Sequence, residues 1–311
     1  MFITDKDGGR NSIMKKSVSE HICEKLILVI LIAFALSTLY PFVYFLACSF
    51  NQASDTMRGG FMLWPRAFTL DNYRAAFQSN NILQAFKVST IITVLGTAIN
   101  VILTGMAAYA LTFKKMPGRN LIIFFIFIPT IFGGGVVPTY ILYRRLHFLT
   151  SIWIYMIPGL YSFFNIIVMR TFFESIPIGL SEAAYIDGCT EVGIFFRIIM
   201  PLSMPIVATM VLFIAVSQWN DWYTGAFYVT RDDLRPAATL LQKLLTEADV
   251  MSNISSLNDQ NIYMSEADMV KSVTPDSLRM TFVMIITLPI VCVYPFLQKY
   301  FVKGVMIGAI K

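Results

Sequence analysis

Residues 176–205 read IPIGLSEAAYIDGCTEVGIFFRIIMPLSMP and form a polar island between two long apolar runs. Leu180 to Asp187 suits about two helical turns, Gly188 falls where a left-handed C-terminal cap is wanted, and Thr190 can cap a second short helix. The pattern predicts a helix, a sharp turn and a second helix. Glu182 stands in the first turn of the first helix and Glu191 in the first turn of the second, where a negative charge suits the helix dipole. Ala183, Ala184 and Gly188 give the turn small faces on which another protein's surface can close without a gap.

On either side of this island the chain is a membrane protein by composition. Of 311 residues, 56% are hydrophobic and 14% charged, and the mean hydropathy is +0.65. Six stretches lack Asp, Glu, Lys and Arg and are long enough to cross a hydrocarbon core: 26–50, 88–113, 120–143, 148–169, 202–220 and 280–298. Lipid offers the backbone no hydrogen-bond partner and the runs lack strand alternation, so all six are expected to be helices. The first run follows Lys15, Lys16 and Lys25, as a signal peptide would, and Phe45 to Cys48 hints at a lipoprotein cleavage site. Its 25 uncharged residues exceed a signal core of about 7 to 15, and five more runs follow, so it reads as a retained first helix.

Glu182, Ala183, Ala184, then Gly188 after three residues, then Ile198 and Pro201 after nine more resemble the EAA loop of ABC importer permeases. Pro177 and Leu180 before it, Ile186 to Gly188 within it, and Leu202 to Pro205 after it resemble the carbohydrate branch of that family, with Met200 where its pattern usually has Leu. The resemblance covers roughly residues 68–311. It implies an all-α integral membrane protein of six transmembrane helices with the type I ABC importer permease fold. It implies that the loop is a coupling helix docked in a groove of an ATPase subunit, with Glu182 making a charge contact, Ala183 and Ala184 packing, and Gly188 making the turn. Asp187 and Pro201 belong to the same coupling set. The implied partners are a second permease subunit in a heterodimer, two ATPase subunits, an external substrate-binding protein and membrane lipid. The implied cargo is a carbohydrate, an oligosaccharide above all, and the implied place is the cell membrane.

The expected organisation is an amino-terminal tail (1–25), the first helix (26–50), an external loop with a short amphipathic helix (51–87), a permease core (88–298) and a carboxyl tail (299–311). The core contains the loop 176–205 and an external insertion, 221–279. Six spans put both tails and the EAA stretch on one side. Lys and Arg number 13 on that side against 11 on the other, which does not orient the chain. The resemblance does, because an ATPase partner requires the loop and both termini to be cytoplasmic.

In the external loop, Thr69 can cap a short helix with Leu70, Tyr73 and Phe77 on one face. Small residues from Thr93 to Ala108 suit the second span to close helix contact, and Lys114 to Arg119 around Pro117 and Gly118 make a tight turn. Gly133, Gly134, Gly135 and Pro138 break the third span, either as a pore-lining kink or as a helix end. An amphipathic helix is expected from Ala238 to Ala248, followed by an outer segment, Asp249 to Ser272, of a size to meet an external partner.

Candidates for contact with substrate are Trp153, Tyr161 and Asn165 in the fourth span and Trp219, Asn220 and Asp221 at the end of the fifth. Aromatic rings stack on sugar rings, and Asn and Asp bond hydroxyls, but aromatics at span ends are also membrane-interface anchors. Both readings stand on the sequence.

The absences exclude function classes. No span carries an ionisable residue in its middle, as ion-coupled carriers and voltage sensors do. No GxxxxGK[ST] loop is present, so ATP must be bound by another chain. Two separated histidines, His21 and His147, and four scattered cysteines without CxxC spacing make neither a catalytic cluster nor a metal site, and no cofactor is expected. The net charge of +5 gives no case for nucleic acid. The remaining alternatives are an ABC permease for a peptide or polyamine and a standalone carrier or channel.

Overall fold

The structure is a computed structural model that describes residues 18–78, 80–246 and 273–308. The tail before residue 18, the stretch expected to meet an external partner and the last three residues lie outside the described residues. Among the described residues the one β pairing is an antiparallel bridge between Asn51 and Phe68, and helices make up most of the rest.

Helix α1 (Val18–Ser49) starts well before the expected span and runs bare along its length, leaning on the last helix of the chain and burying only its final turn, Ala47 to Ser49. A small cap closes that end. The Asn51 side chain accepts from the Ala67 N–H at 2.7 Å and donates to Asp55 at 2.9 Å, at the start of the single-turn α2 (Ala53–Thr56). Thr69 Oγ1 accepts from the Asp71 N–H at 3.1 Å and so caps α3 (Asp71–Gln78), as expected. The buried face of α3 differs from expectation: Asn72 and Ala76 turn inward, whereas Leu70 and Phe77 stay exposed. Backbone demand outweighs side-chain apolarity here, because Asn72 Nδ2 donates to the carbonyls of Ser49 and Asn51 that the end of α1 leaves open.

Helix α4 (Asn80–Ala110) is the axis of the molecule. The small and weakly polar residues of its sequence face other helices: Ser89, Thr97, Asn100, Thr104 and Ala108 are buried. After the turn at Gly118 (φ +73°), α5 (Arg119–Ile131) is about 20 Å long, two-thirds of a hydrocarbon core. The chain then bends by 117° through Gly133–Gly135 into α6 (Val136–Arg145). A bend that sharp is a helix end, not a kink. The fourth run is also broken: α7 (Trp153–Met156) and a 3₁₀ turn at Pro158–Leu160 meet α8 (Phe163–Phe173) at 53°. Pro158 cannot donate and Gly159 weakens the helix, a break the uncharged run concealed.

The polar island follows as α9 (Ile178–Ile186) and α10 (Glu191–Ile194), continued by a π turn at Phe195–Ile199 and α11 (Met200–Leu202). An 87° bend at Ser203 leads into α12 (Met204–Trp219) and α13 (Tyr223–Phe227). Helix α14 spans 237–246, where the amphipathic helix was expected, and α15 (Pro275–Gly308) runs unbroken past the end of the sixth expected span. Among the described residues three helices, α1, α4 and α15, are long and apolar enough to cross a membrane; counting each bent pair as one span raises the number to as many as six.

Two apolar clusters sit at opposite ends of α4. One joins Val101, Ala108 and Leu111 to Met169, Ala184, Ile194, Phe195 and Met210. The other joins Val88 and Ile92 to Ile154, Tyr155 and Tyr228.

Candidate functional site

The island folds as an elbow. Pro177 sets its entry with φ −59°, and α9 starts at Ile178, two residues before the expected start at Leu180. Gly188 closes it at φ +80°. Its N–H donates to Tyr185 O at 3.1 Å and the Cys189 N–H donates to Ala184 O at 2.9 Å, the paired bonds of a Schellman turn. No atom lies within 4 Å of the place a Gly188 Cβ would take, so glycine is required there by backbone conformation alone. Thr190 then caps α10, its hydroxyl accepting from the Gly193 N–H at 3.2 Å. Both expected caps are present.

The faces of α9 divide sharply. Ala184 is only 6% exposed and belongs to the main apolar cluster, so it seats the elbow on its own chain. Glu182, Ala183, Asp187 and Gly188 are exposed together. Beside them Ile178, Tyr185 and Ile186 line the outer face at helical spacing, and Ile186 is 87% exposed. This apolar side chain at the tip of a polar turn has no cover from its own chain. Pro201, also exposed, lies at the far end of the second arm, next to the bend at Ser203. The π turn precedes it directly: Met200 N–H reaches back five residues to Phe195 O, just before a proline that can donate no bond at all.

An ionic knot secures the same end of the bundle. Glu174 Oε1 accepts from Arg119 Nη2 at 3.1 Å and from Arg170 Nε at 2.9 Å, while Arg119 Nε donates to Leu111 O at 2.8 Å. The knot joins the end of α4, the start of α5 and the end of α8. Glu174 does not stand out in the sequence, because its two partners are 55 and 4 residues away.

The residues proposed for substrate contact do not gather in one place. The Trp219 ring packs edge-on to Phe86 and its Nε1 donates to Ile286 O at 3.2 Å, so this indole is wedged between α4 and α15. Asn165 lies in the first turn of α8, where its N–H is capped by Ser162 Oγ at 3.3 Å. Trp153, Tyr161 and Asn220 are exposed. Asp221 accepts from the Thr224 N–H at 3.0 Å and lines a polar cavity of about 400 Å³ with Tyr155, Gly159, Ser217, Gln218 and Thr224. Gln218 is the unforeseen member. It is 9% exposed, its Nε2 donates to Tyr155 O at 3.4 Å and its Oε1 has no partner. Gly96 and Gly159 flank it, and a Cβ on either would stand 3.4 or 3.3 Å from its amide. The signal for it was a lone amide at the end of an apolar run, set against glycines far away in the chain.

Among the described residues no three His, Cys, Asp or Glu come together, and all four cysteines are unpaired. What the geometry offers is mechanical. The chain is a helical bundle apolar enough for a membrane, carrying a closed turn with unburied apolar side chains.

Comparison with known proteins gives its class. The chain belongs to the family of the binding-protein-dependent transport system inner membrane component, which matches residues 100–307. It is thus an ABC importer permease, a transport subunit of systems that also use an ATPase and a substrate-binding protein. It is 37% identical over 275 residues to protein LplC of Bacillus subtilis (strain 168), covering 88% of this chain and 90% of that one. It is 34% identical over 294 residues to the polygalacturonan/rhamnogalacturonan transport system permease protein YtcP of the same organism, covering 94% and 100%. The crystal structure of a bacterial ABC transporter involved in the import of the acidic polysaccharide alginate matches with a TM-score of 0.81 at 27% identity, over 92% of this chain and 99% of that one. That match gives the fold as that of the type I ABC importer permeases.

Proposed function

We propose that this chain forms half of the translocation channel of an importer for an oligosaccharide, paired with a second, similar permease in a heterodimer. Three unbroken apolar helices and three bent pairs among the described residues support six spans, and an ATPase partner requires both termini and the elbow to be cytoplasmic. The carbohydrate cargo is supported by the names of the relatives, which handle polygalacturonan and alginate.

The observation that carries the reading is the elbow: a stiff turn with Ala184 sunk in the core and Ile186 left 87% exposed. An ATPase subunit covers Ile178, Tyr185 and Ile186, Glu182 supplies the charge contact and Ala183 the close packing. Closing of the ATPase pair on ATP then moves α9, and Ala184 carries the movement into the bundle. Asp187 ends the helix and Gly188 keeps the turn stiff. At the other end, Asp221 and its cavity offer hydroxyl-bonding groups to a sugar, with Trp153, Tyr161, Asn165 and Asn220 along the route and Trp219 bracing the helices behind.

Labelling of Cys189, which is half-exposed beside Gly188, tests the topology. In a variant with Cys23 and Cys292 replaced by serine, a membrane-impermeant maleimide leaves intact cells unlabelled and modifies Cys189 in inverted vesicles. Modification from outside would overturn the reading. A screen of oligosaccharides for stimulation of ATP hydrolysis by the purified complex then tests the cargo.

A further inference from the structure

The elbow touches α4 at a point the EAA pattern does not contain. Tyr109, in the last turn of α4, donates its hydroxyl to Glu191 Oε2 at 2.8 Å, across 82 residues of sequence. Glu191 opens α10 three residues after Gly188, so this bond joins the second arm of the elbow to the helix at the centre of the bundle. The Tyr109 ring also lies 5.7 Å from the ring of Phe195, the first residue of the π turn. One turn back along α4, Gly105 leaves room for the same segment. A Cβ at Gly105 would stand 3.2 Å from Phe195 Cζ, 3.3 Å from Met169 Cε and 3.6 Å from Met200 Sδ. A π turn has a wider, more strained hydrogen-bond register than the α-helix on either side and is a common site of adjustment.

We infer that Tyr109 and Glu191 are positioning residues for transport, forming the joint through which the elbow moves α4. The argument is one of attachment. Between Gly188 and the 87° bend at Ser203 the second arm meets α4 through one charged hydrogen bond at Glu191 and through close apolar contact at Phe195 and Met200. Apolar contacts slide at little cost, whereas a hydrogen bond to a carboxylate is directional and resists displacement. The bond therefore sets the register in which the arm and α4 move together, and the π turn beside it takes up the remaining change in length. This inference rests on the permease reading and adds where the motion enters the bundle.

The test is a mutant cycle on the purified complex, with permeases, ATPase subunits and binding protein, reconstituted in nanodiscs with the oligosaccharide the screen identifies. Tyr109→Phe removes the donor alone, and Glu191→Ala removes the acceptor. Each is expected to assemble with the ATPase subunits and keep basal hydrolysis, but to lower the stimulation by loaded binding protein about tenfold, the scale of a lost hydrogen bond to a charged group. The double variant should lose no more than either single one, and Glu191→Gln, which keeps an acceptor, should restore most of the stimulation. Stimulation that is intact in both single variants, or additive losses in the double, overturns the joint. A lower melting temperature with unchanged stimulation per assembled complex assigns the bond to stability alone and overturns it equally. Should Tyr109→Phe fail to assemble, Glu191→Ala, at a half-exposed position, carries the same test. If the unaltered chain retains no ATPase subunit, the permease reading fails, and that result is distinct from every outcome above.

Discussion

The carboxyl end of α4 and its middle are finished in opposite ways. Around Tyr109 the chain is braced: a Schellman turn at Gly188, a capped α10, a knot of Arg119, Arg170 and Glu174, and an apolar cluster that includes Ala184. Around Gly96 the helices stop and restart, at Pro158–Ser162 and again at Asn220, and the polar groups there are incompletely satisfied. Gln218 Oε1 and the hydroxyls of Thr93 and Thr97 are buried without partners. Each unpartnered group costs free energy in a low-dielectric interior, so this region holds a reserve of bonding capacity that a hydroxyl-rich ligand or water can use. The Tyr109 region is closed by bonds already made, and the Gly96 region keeps polar groups unbonded.

Substitutions that soften the braced end are the strongest way to break this contrast. Proline at 188 cannot adopt φ +80° and removes the N–H that donates to Tyr185 O, so it opens the turn at both of its defining features. Gly188→Pro touches no apolar span, and we expect normal insertion with hydrolysis uncoupled from uptake, stimulation falling by about tenfold or more. Full substrate-stimulated ATPase activity in that complex would show that stiffness at the elbow is irrelevant. Gly188→Ala is the graded control: with open space around the Cβ it meets only the left-handed backbone penalty, about 1 kcal/mol, and keeps both bonds of the turn.

The Gly96 region is open but not loose everywhere, and glycine sharpens the point. At Gly225 in α13 a Cβ would overlap Thr239 Oγ1 and lie 2.9 Å from the Tyr155 hydroxyl. The two hydroxyls are engaged, Thr239 donating to Trp222 O at 3.0 Å and Tyr155 to Leu234 O at 3.0 Å. Gly225→Ala must displace one of them and is expected to destabilise the assembled protein by about 1–3 kcal/mol, read as a lower melting temperature in detergent. Equal melting temperatures would mean that α13 shifts freely, and the cavity beside it would then have no fixed shape.

What the sequence disclosed and what it withheld follow the same division. The elbow was legible because its causes are local: Gly188 and Thr190 sit at fixed offsets from the helix ends they close. The face of the elbow was not, since Ala183 and Ala184 are alike until a core exists to bury one of them. Six apolar runs were legible from the absence of charge, yet that signal is blind to breaks. The glycines of the third run marked its bend, while Pro158 and Gly159 in the fourth did not stand out. Long-range pairings stayed out of reach: Trp219 with Ile286, Gln218 with Gly96, Tyr109 with Glu191 and Arg119 with Glu174 join residues that no local pattern relates. For α3, the inward turn of Asn72 was set by carbonyls of another element.

The smallest effect tests whether the bracing at the elbow end is shared or concentrated. Glu174 accepts from two arginines through a single oxygen, and its side chain and theirs are 31%, 15% and 19% exposed. Water and salt therefore screen the pairs in part, and an exposed pair of this kind contributes about 1 kcal/mol or less. Glu174→Ala should lower the melting temperature of the purified complex slightly at low ionic strength and not at all near 1 M salt, where the screening length is about 3 Å. Glu174→Gln, which keeps an oxygen acceptor without the charge, should fall between the two. Arg119 keeps its bond to Leu111 O in either variant, so α4 and α5 remain joined when the knot is cut. A loss of several kcal/mol, or one that salt leaves untouched, would mean that the knot and not the apolar cluster around Ala184 holds this end rigid. The brace would then be the ion pairs themselves, shielded from solvent salt.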